Sequence, residues 1–192
     1  ARGTCQRAAG ETREVHVSQE RIDFIRGRIR DVPDFPKPGI VFKDITPVLS
    51  DPRAFNTCLD LLAERYDGVS FDCIVGIESR GFIFGAALAA KMRKAFVPAR
   101  KPGKLPAATY QVEYELEYGS DAVEIHRDAI SKGERALVVD DLIATGGTAW
   151  ATAELVRKLG GEVIGAAFVI ELGFLGGAQR LEPIETYSVV RY

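Results

Sequence analysis

Cysteine and histidine are scarce in this sequence: its 192 residues include three of the first and two of the second. Cys5, Cys58 and Cys73 are widely separated and form no Cys-x-x-Cys pair, which argues against a disulfide framework and against a structural zinc site. Cys73 falls in the apolar run Cys73-Ile74-Val75-Gly76-Ile77 and Cys58 in a helical pattern, so both read as buried small hydrophobes. His16 and His126 are too few for a histidine-rich metal centre. Long apolar runs are missing as well. Val163 to Ile170 is far shorter than the roughly 20 residues of a membrane span, and no basic segment followed by an apolar one opens the chain. These absences predict a cytoplasmic protein with no membrane association. There is no excess of positive charge: 25 basic against 27 acidic residues leave a net charge of −2, and no field that would draw in DNA or RNA. Neither Gly-x-Gly-x-x-Gly nor Gly-x-x-x-x-Gly-Lys-[Ser/Thr] occurs, which removes the common dinucleotide and ATPase loops.

What is present suits one catalytic domain over 18–192, with 46% hydrophobic residues to fill a core. Residues 1–17 are mixed polar and charged and read as a flexible extension. The patterning predicts a helix over 18–30, a proline-punctuated loop over 31–47, and a helix from Pro52 to about Tyr66 closed by Gly68. It then predicts strand 72–77, helix 80–92, strand 95–99, a hairpin region over 104–126, strand 135–140, helix 148–159, strand 162–170, a short helix near 174–181 and strand 185–190. Alternating strands and helices give an α/β fold with a central, mostly parallel sheet flanked by helices. Ligands of such sheets bind where loops leave the carboxyl ends of the strands.

One of those exits carries the most informative string in the chain, Val138-Val139-Asp140-Asp141-Leu142-Ile143-Ala144-Thr145-Gly146-Gly147-Thr148. A buried strand enters it and a helix leaves it. Amides at a helix N-terminus have no intrahelical partner and lie at the positive end of the dipole, and the glycine pair lets an anion approach the main chain. Ala144, Thr145, Gly146, Gly147 and Thr148 are therefore candidate phosphate ligands, with two hydroxyls among them. Asp140 and Asp141 would repel a bare phosphate unless they bound something else, and ribose hydroxyls, directly or through Mg²⁺, satisfy them. A phosphate with vicinal hydroxyls a few ångströms away is the shape of a 5-phosphoribosyl group.

Two other exits add charge. Glu78-Ser79-Arg80-Gly81 superficially suggests a serine-hydrolase elbow, but Gly76 stands three residues before Ser79 instead of two. Arg100, Lys101 and Lys104 make the densest basic loop, and two prolines and a glycine order it. Between Thr109 and Arg127, Tyr110, Val112, Tyr114, Leu116 and Tyr118 alternate with Gln111, Glu113, Glu115 and Glu117, a strand with one aromatic and one acidic face.

Taken together, these segments resemble the type I phosphoribosyltransferases, and within them most closely the adenine-specific members. The Asp140 to Thr148 loop carries the superfamily signature. The narrower likeness rests on Asp34-Phe35-Pro36, the Pro38-to-Leu49 segment beginning Pro38-Gly39-Ile40-Val41-Phe42-Lys43, Glu78-Ser79-Arg80-Gly81-Phe82, Arg100-Lys101-Pro102-Gly103-Lys104-Leu105-Pro106, and Leu116-Glu117-Tyr118-Gly119. It runs from about Ser18 to the C-terminus. The resemblance implies conversion of adenine and 5-phosphoribosyl 1-diphosphate to AMP and diphosphate, with Mg²⁺ bound mainly through the sugar diphosphate and helped by Asp140 and Asp141. It gives Arg80 to the diphosphate, together with Lys101 and Lys104, and makes Arg100 reach a neighbouring subunit's site in a homodimer. It makes the segment between Thr109 and Arg127 a mobile hood, with Glu117 at the purine edge as the proton-handling residue and Tyr118 beside ribose. Phe42 would stack on adenine, the main chain of Val41 and Lys43 would read its polar edge, and Leu142 would line the other face. Pro102 stands where some relatives hold a basic residue. A 6-oxopurine or orotate enzyme, and a non-catalytic sensor of the sugar diphosphate, remain as alternatives.

Overall fold

The structure, a computed structural model, describes residues 18–115 and 119–192. The extension 1–17 and residues Glu117 and Tyr118 lie outside that range. The described backbone falls into two compact units that divide between Leu61 and Leu62.

In the first unit, residues 18–26 form helix α1, four residues short of the predicted end, because Gly27 and the turn after it lead into a strand. The segment read as a loop is a two-stranded antiparallel ribbon followed by a short helix. Strand β1 (Arg30–Pro33) pairs with β2 (Val41–Asp44), with Pro33 opposite Val41 and Asp31 opposite Lys43. Three prolines hide it from pattern reading, yet Pro36 and Pro38 sit in the connection and Pro33 ends its strand, so no ladder bond is lost. Helix α2 (Thr46–Ser50) starts with Pro47 in its first turn, where the missing N–H costs nothing. Helix α3 (Pro52–Arg65) follows as predicted.

The second unit holds a sheet of five parallel strands: β3 (Cys73–Ile77), β4 (Ala95–Ala99), β7 (Arg135–Ile143), β8 (Glu162–Glu171) and β9 (Thr186–Arg191), in the order β4-β3-β7-β8-β9. β3 is buried along its whole length, as expected of a strand covered on both faces. Helix α4 (Gly81–Met92) joins β3 to β4, and α5 (Gly147–Lys158) joins β7 to β8. The chain leaves β3 toward one edge of the sheet and β7 toward the other, so the two strands, side by side, form the switch point where a crevice opens at their carboxyl ends. The predicted strand 135–140 runs on to Ile143, which puts both aspartates on a strand. The predicted helix near 174–181 is split into a 3₁₀ turn, Gly173–Leu175, and a one-turn helix α6 (Gly177–Arg180).

β5 (Thr109–Glu115) and β6 (Ser120–His126) form the expected hairpin. Its aromatic face is not a surface stripe: Tyr114, Val123 and Ile125 share a core cluster with Ala151, Leu155 and Val156 of α5.

Candidate active site

The loop after β7 folds tightly because main chain meets main chain. Gly146 has φ of 76°, open to glycine and strained for other residues, and a methyl there would lie 2.5 Å from the Gly177 carbonyl oxygen. Helix α5 begins at this turn with no side-chain cap, so its first amides are left for a ligand. Asp140 and residues 142–149 line a cavity of about 110 Å³. The predicted ligands Asp140, Leu142, Ala144, Thr145, Gly146, Gly147 and Thr148 are thus brought together.

Asp141 is only 4% exposed and lies against Arg80, the residue before α4, with Nε 2.9 Å from Oδ2. That oxygen is ion-paired with Arg80 and accepts no hydrogen bond among the described residues. Asp140 is half-buried and accepts from the Asp141 amide at 2.8 Å. Burial lifts both carboxyl pKa values above the ordinary range. The like charge of Asp141 lifts Asp140 further, while Arg80 opposes the rise at each. A buried acidic pair with an unsatisfied oxygen suits hydroxyl donors or a cation, since either relieves the cost of desolvation. No group of three or more His, Cys, Asp or Glu suited to a metal occurs among the described residues.

The basic loop after β4 is held by carboxylates of its own chain. Arg100 donates to Glu78 and to the Lys104 carbonyl, and its main chain bridges to Glu124 of β6. Lys101 meets Asp121 and donates to the Tyr114 hydroxyl at 3.1 Å. Lys104 is exposed. Pattern reading missed Glu78, Asp121 and Tyr114. Tyr114 showed only as one aromatic in an alternating strand, and Glu78 only as a neighbour of Arg80.

The segment Val41–Lys43 belongs to the first unit. Phe42 packs edge-on against Phe35, with ring centroids 5.2 Å apart, and Lys43 pairs with Asp31 at 2.6 Å.

The profile of the phosphoribosyl transferase domain family matches residues 45–191. The adenine phosphoribosyltransferase of Sorangium cellulosum is 61% identical over 180 residues, covering 91% of this chain and 90% of the relative. The chain belongs to the adenine phosphoribosyltransferases. A crystal structure of a member from Thermoanaerobacter pseudethanolicus superposes with a TM-score of 0.87 at 52% identity, over 89% of this chain and 99% of that one. The adenine phosphoribosyltransferase of Saccharomyces cerevisiae, in complex with an imino-altritol bisphosphate and adenine, gives a TM-score of 0.85 at 40% identity, over 90% and 99% of the two chains. Membership accounts for the parallel sheet, the small antiparallel ribbons and the loop at the switch point.

Proposed function

We propose that this chain transfers a phosphoribosyl group from 5-phosphoribosyl 1-diphosphate to adenine, giving AMP and diphosphate. The observation that carries the reading is the cavity at the end of β7, where uncapped helix amides and a buried acidic pair stand side by side. The amides of residues 144–148 receive the 5′-phosphate, each charge-assisted hydrogen bond contributing roughly 1.5–3 kcal/mol. Asp140 and Asp141 take the ribose hydroxyls. Loss of diphosphate from C1 leaves an oxocarbenium-like sugar, so the site has to stabilise negative charge on the leaving group and hold the base nitrogen opposite it.

Arg80, Lys101 and Lys104 supply positive charge to the diphosphate. Arg100 acts at the neighbouring site of a homodimer, for which its contact with Glu78 has to be exchanged. Mg²⁺ binds mainly through the sugar diphosphate, and the unsatisfied oxygen of Asp141 beside Asp140 fits an auxiliary role in holding it. When bound, it neutralises charge on the diphosphate oxygens. Phe42 stacks on adenine. Val41 and Lys43, two apart on β2, turn their main-chain groups to a common edge and so address one edge of the base together. Leu142 lines the other face. Glu117 manages the proton at the purine edge, and Tyr118 lies beside ribose in a hood that excludes water. Residues 18–192 act as one catalytic domain in the cytoplasm. No described helix is long and apolar enough to cross a membrane.

Incubation with Mg²⁺, the sugar diphosphate and each nucleobase in turn tests the reading. AMP from adenine alone is the expected result. Nucleotide from hypoxanthine, guanine or orotate in its place, or binding without turnover, overturns it.

A further inference from the structure

Polar atoms from three stretches of chain meet at one phenol oxygen. Tyr114 Oη lies 2.8 Å from Thr148 Oγ1, 3.1 Å from Lys101 Nζ and 3.0 Å from Asp121 Oδ2. The residue is 4% exposed, and its ring lies so close to Gly147 that a methyl there would be 2.8 Å from Cδ2. Chemistry fixes the direction of each bond. An ammonium only donates and a carboxylate only accepts. The phenol therefore accepts from Lys101, gives its own proton to Asp121, and takes the Thr148 proton on its remaining lone pair. Thr148 consequently turns lone pairs, and not its proton, toward the cavity it lines. An incoming phosphoryl oxygen meets repulsion there until that hydroxyl rotates.

We propose that Tyr114 is a positioning residue for the 5′-phosphoryl group, and that the hydrogen-bond chain through its hydroxyl reverses when that group fills the loop. This rests on the loop being the 5′-phosphate site of the proposed reaction. In the reversed chain Thr148 donates to the phosphoryl oxygen, Tyr114 donates to Thr148, and Lys101 continues to donate to the phenol. Only two O–H bonds rotate and no covalent bond changes. Each donor then polarises the next, so the charge of Lys101 bears on the anion through two hydroxyls. Asp121 gives up the phenol proton but keeps the ammonium, and no carboxylate is left unpaired. Because Tyr114 and Asp121 stand on the two strands of the hairpin, the filling of the phosphate loop is felt there directly.

The test uses the full chain and Tyr114→Phe, which keeps the ring against Gly147 and removes the hydroxyl. Steady-state kinetics should show KM for the sugar diphosphate raised about tenfold, the effect of one good hydrogen bond to an anion, with kcat and KM for adenine nearly unchanged. Calorimetric titration with AMP should show a matching loss of affinity. Thr148→Val should lose as much, and the double variant no more than Thr148→Val alone, because the route through the phenol ends at that hydroxyl. Asp121→Asn, which weakens the pull on the phenol proton, should bind AMP more tightly. Unchanged KM in Tyr114→Phe, equal losses for both substrates, additive effects in the double variant, or weaker AMP binding in Asp121→Asn would each overturn the inference. A wild-type chain that forms no AMP overturns the parent reading, and the inference with it.

Discussion

Arg100 grips Glu78 through two hydrogen bonds, Nη2 to Oε1 at 2.8 Å and Nε to Oε2 at 3.3 Å, and the Lys101 amide adds a third at 2.9 Å. The exits of β3 and β4, neighbours in the sheet, are thereby braced against each other. The Arg100 hydrogen bond, followed by that from Lys101, holds the Glu78 carboxyl below its ordinary value of 4.5. The folded chain thus releases this proton more readily than the unfolded one. The stabilisation is complete above the unfolded value and is lost as pH falls through the lower folded value.

Glu78→Gln should accordingly lower the unfolding free energy by about 1 kcal/mol at neutral pH. The gap between variant and wild type should close as pH falls below 4.5. Urea titrations across that range measure it. A gap that widened toward acid would show that the carboxylate is not the group holding the two exits together.

Gly146 and Gly177 meet without room for side chains: a methyl on Gly177 would lie 2.3 Å from the Ala144 carbonyl oxygen, and one on Gly146 2.5 Å from that of Gly177. Either Gly→Ala change should cost about 1–3 kcal/mol and weaken sugar diphosphate binding at the same time. Denaturant midpoints and KM are the readouts. A variant with both unchanged would mean the two segments part freely.

Asp140, half-buried beside another carboxylate, is costly to ionise in the folded chain. Asp140→Asn keeps the shape and can keep the acceptor for the Asp141 amide, so the folded chain should gain about 1 kcal/mol at neutral pH while losing most of its activity. Thermal unfolding alongside an AMP-formation assay checks both halves. A less stable variant would show that the ionised carboxylate is satisfied in the folded chain.

Glu117→Gln should reduce kcat roughly 10²–10⁴-fold if the carboxylate handles the proton at the purine edge, and a fall below about fivefold removes it from that role. Unfolding curves should superimpose on wild type.

Much of the second unit could be read from sequence because most of its parallel strands contain a short apolar run and helices α4 and α5 each begin at a glycine. The ribbon over residues 30–44 could not, since four-residue strands among prolines carry no usable period. Asp140 was legible as the last residue of its strand, but Asp141 was not: a second polar side chain at the end of an apolar run looks like the start of a loop, and only pairing with β8 as far as Ile143 shows otherwise. The phosphate loop was legible because its chemistry is local to eleven consecutive residues. The grips on Arg100 and Lys101 were not, because Glu78 and Asp121 stand about twenty positions away and only the folded sheet brings them near.

Helix α4 rides close on β3, with the edge of the Phe96 ring against the facing glycines of both. A methyl on Gly85 would come 3.3 Å from the Gly76 Cα, and one on Gly76 would come 2.5 Å from the Phe96 ring. The two glycines set the height of a lever whose tip is Arg80. Adding carbon beneath it would act as a shim, raising the helix and drawing the guanidinium off Asp141 with no ionisable group altered. The charge balance of the crevice is therefore tuned by hydrogen atoms buried well behind it.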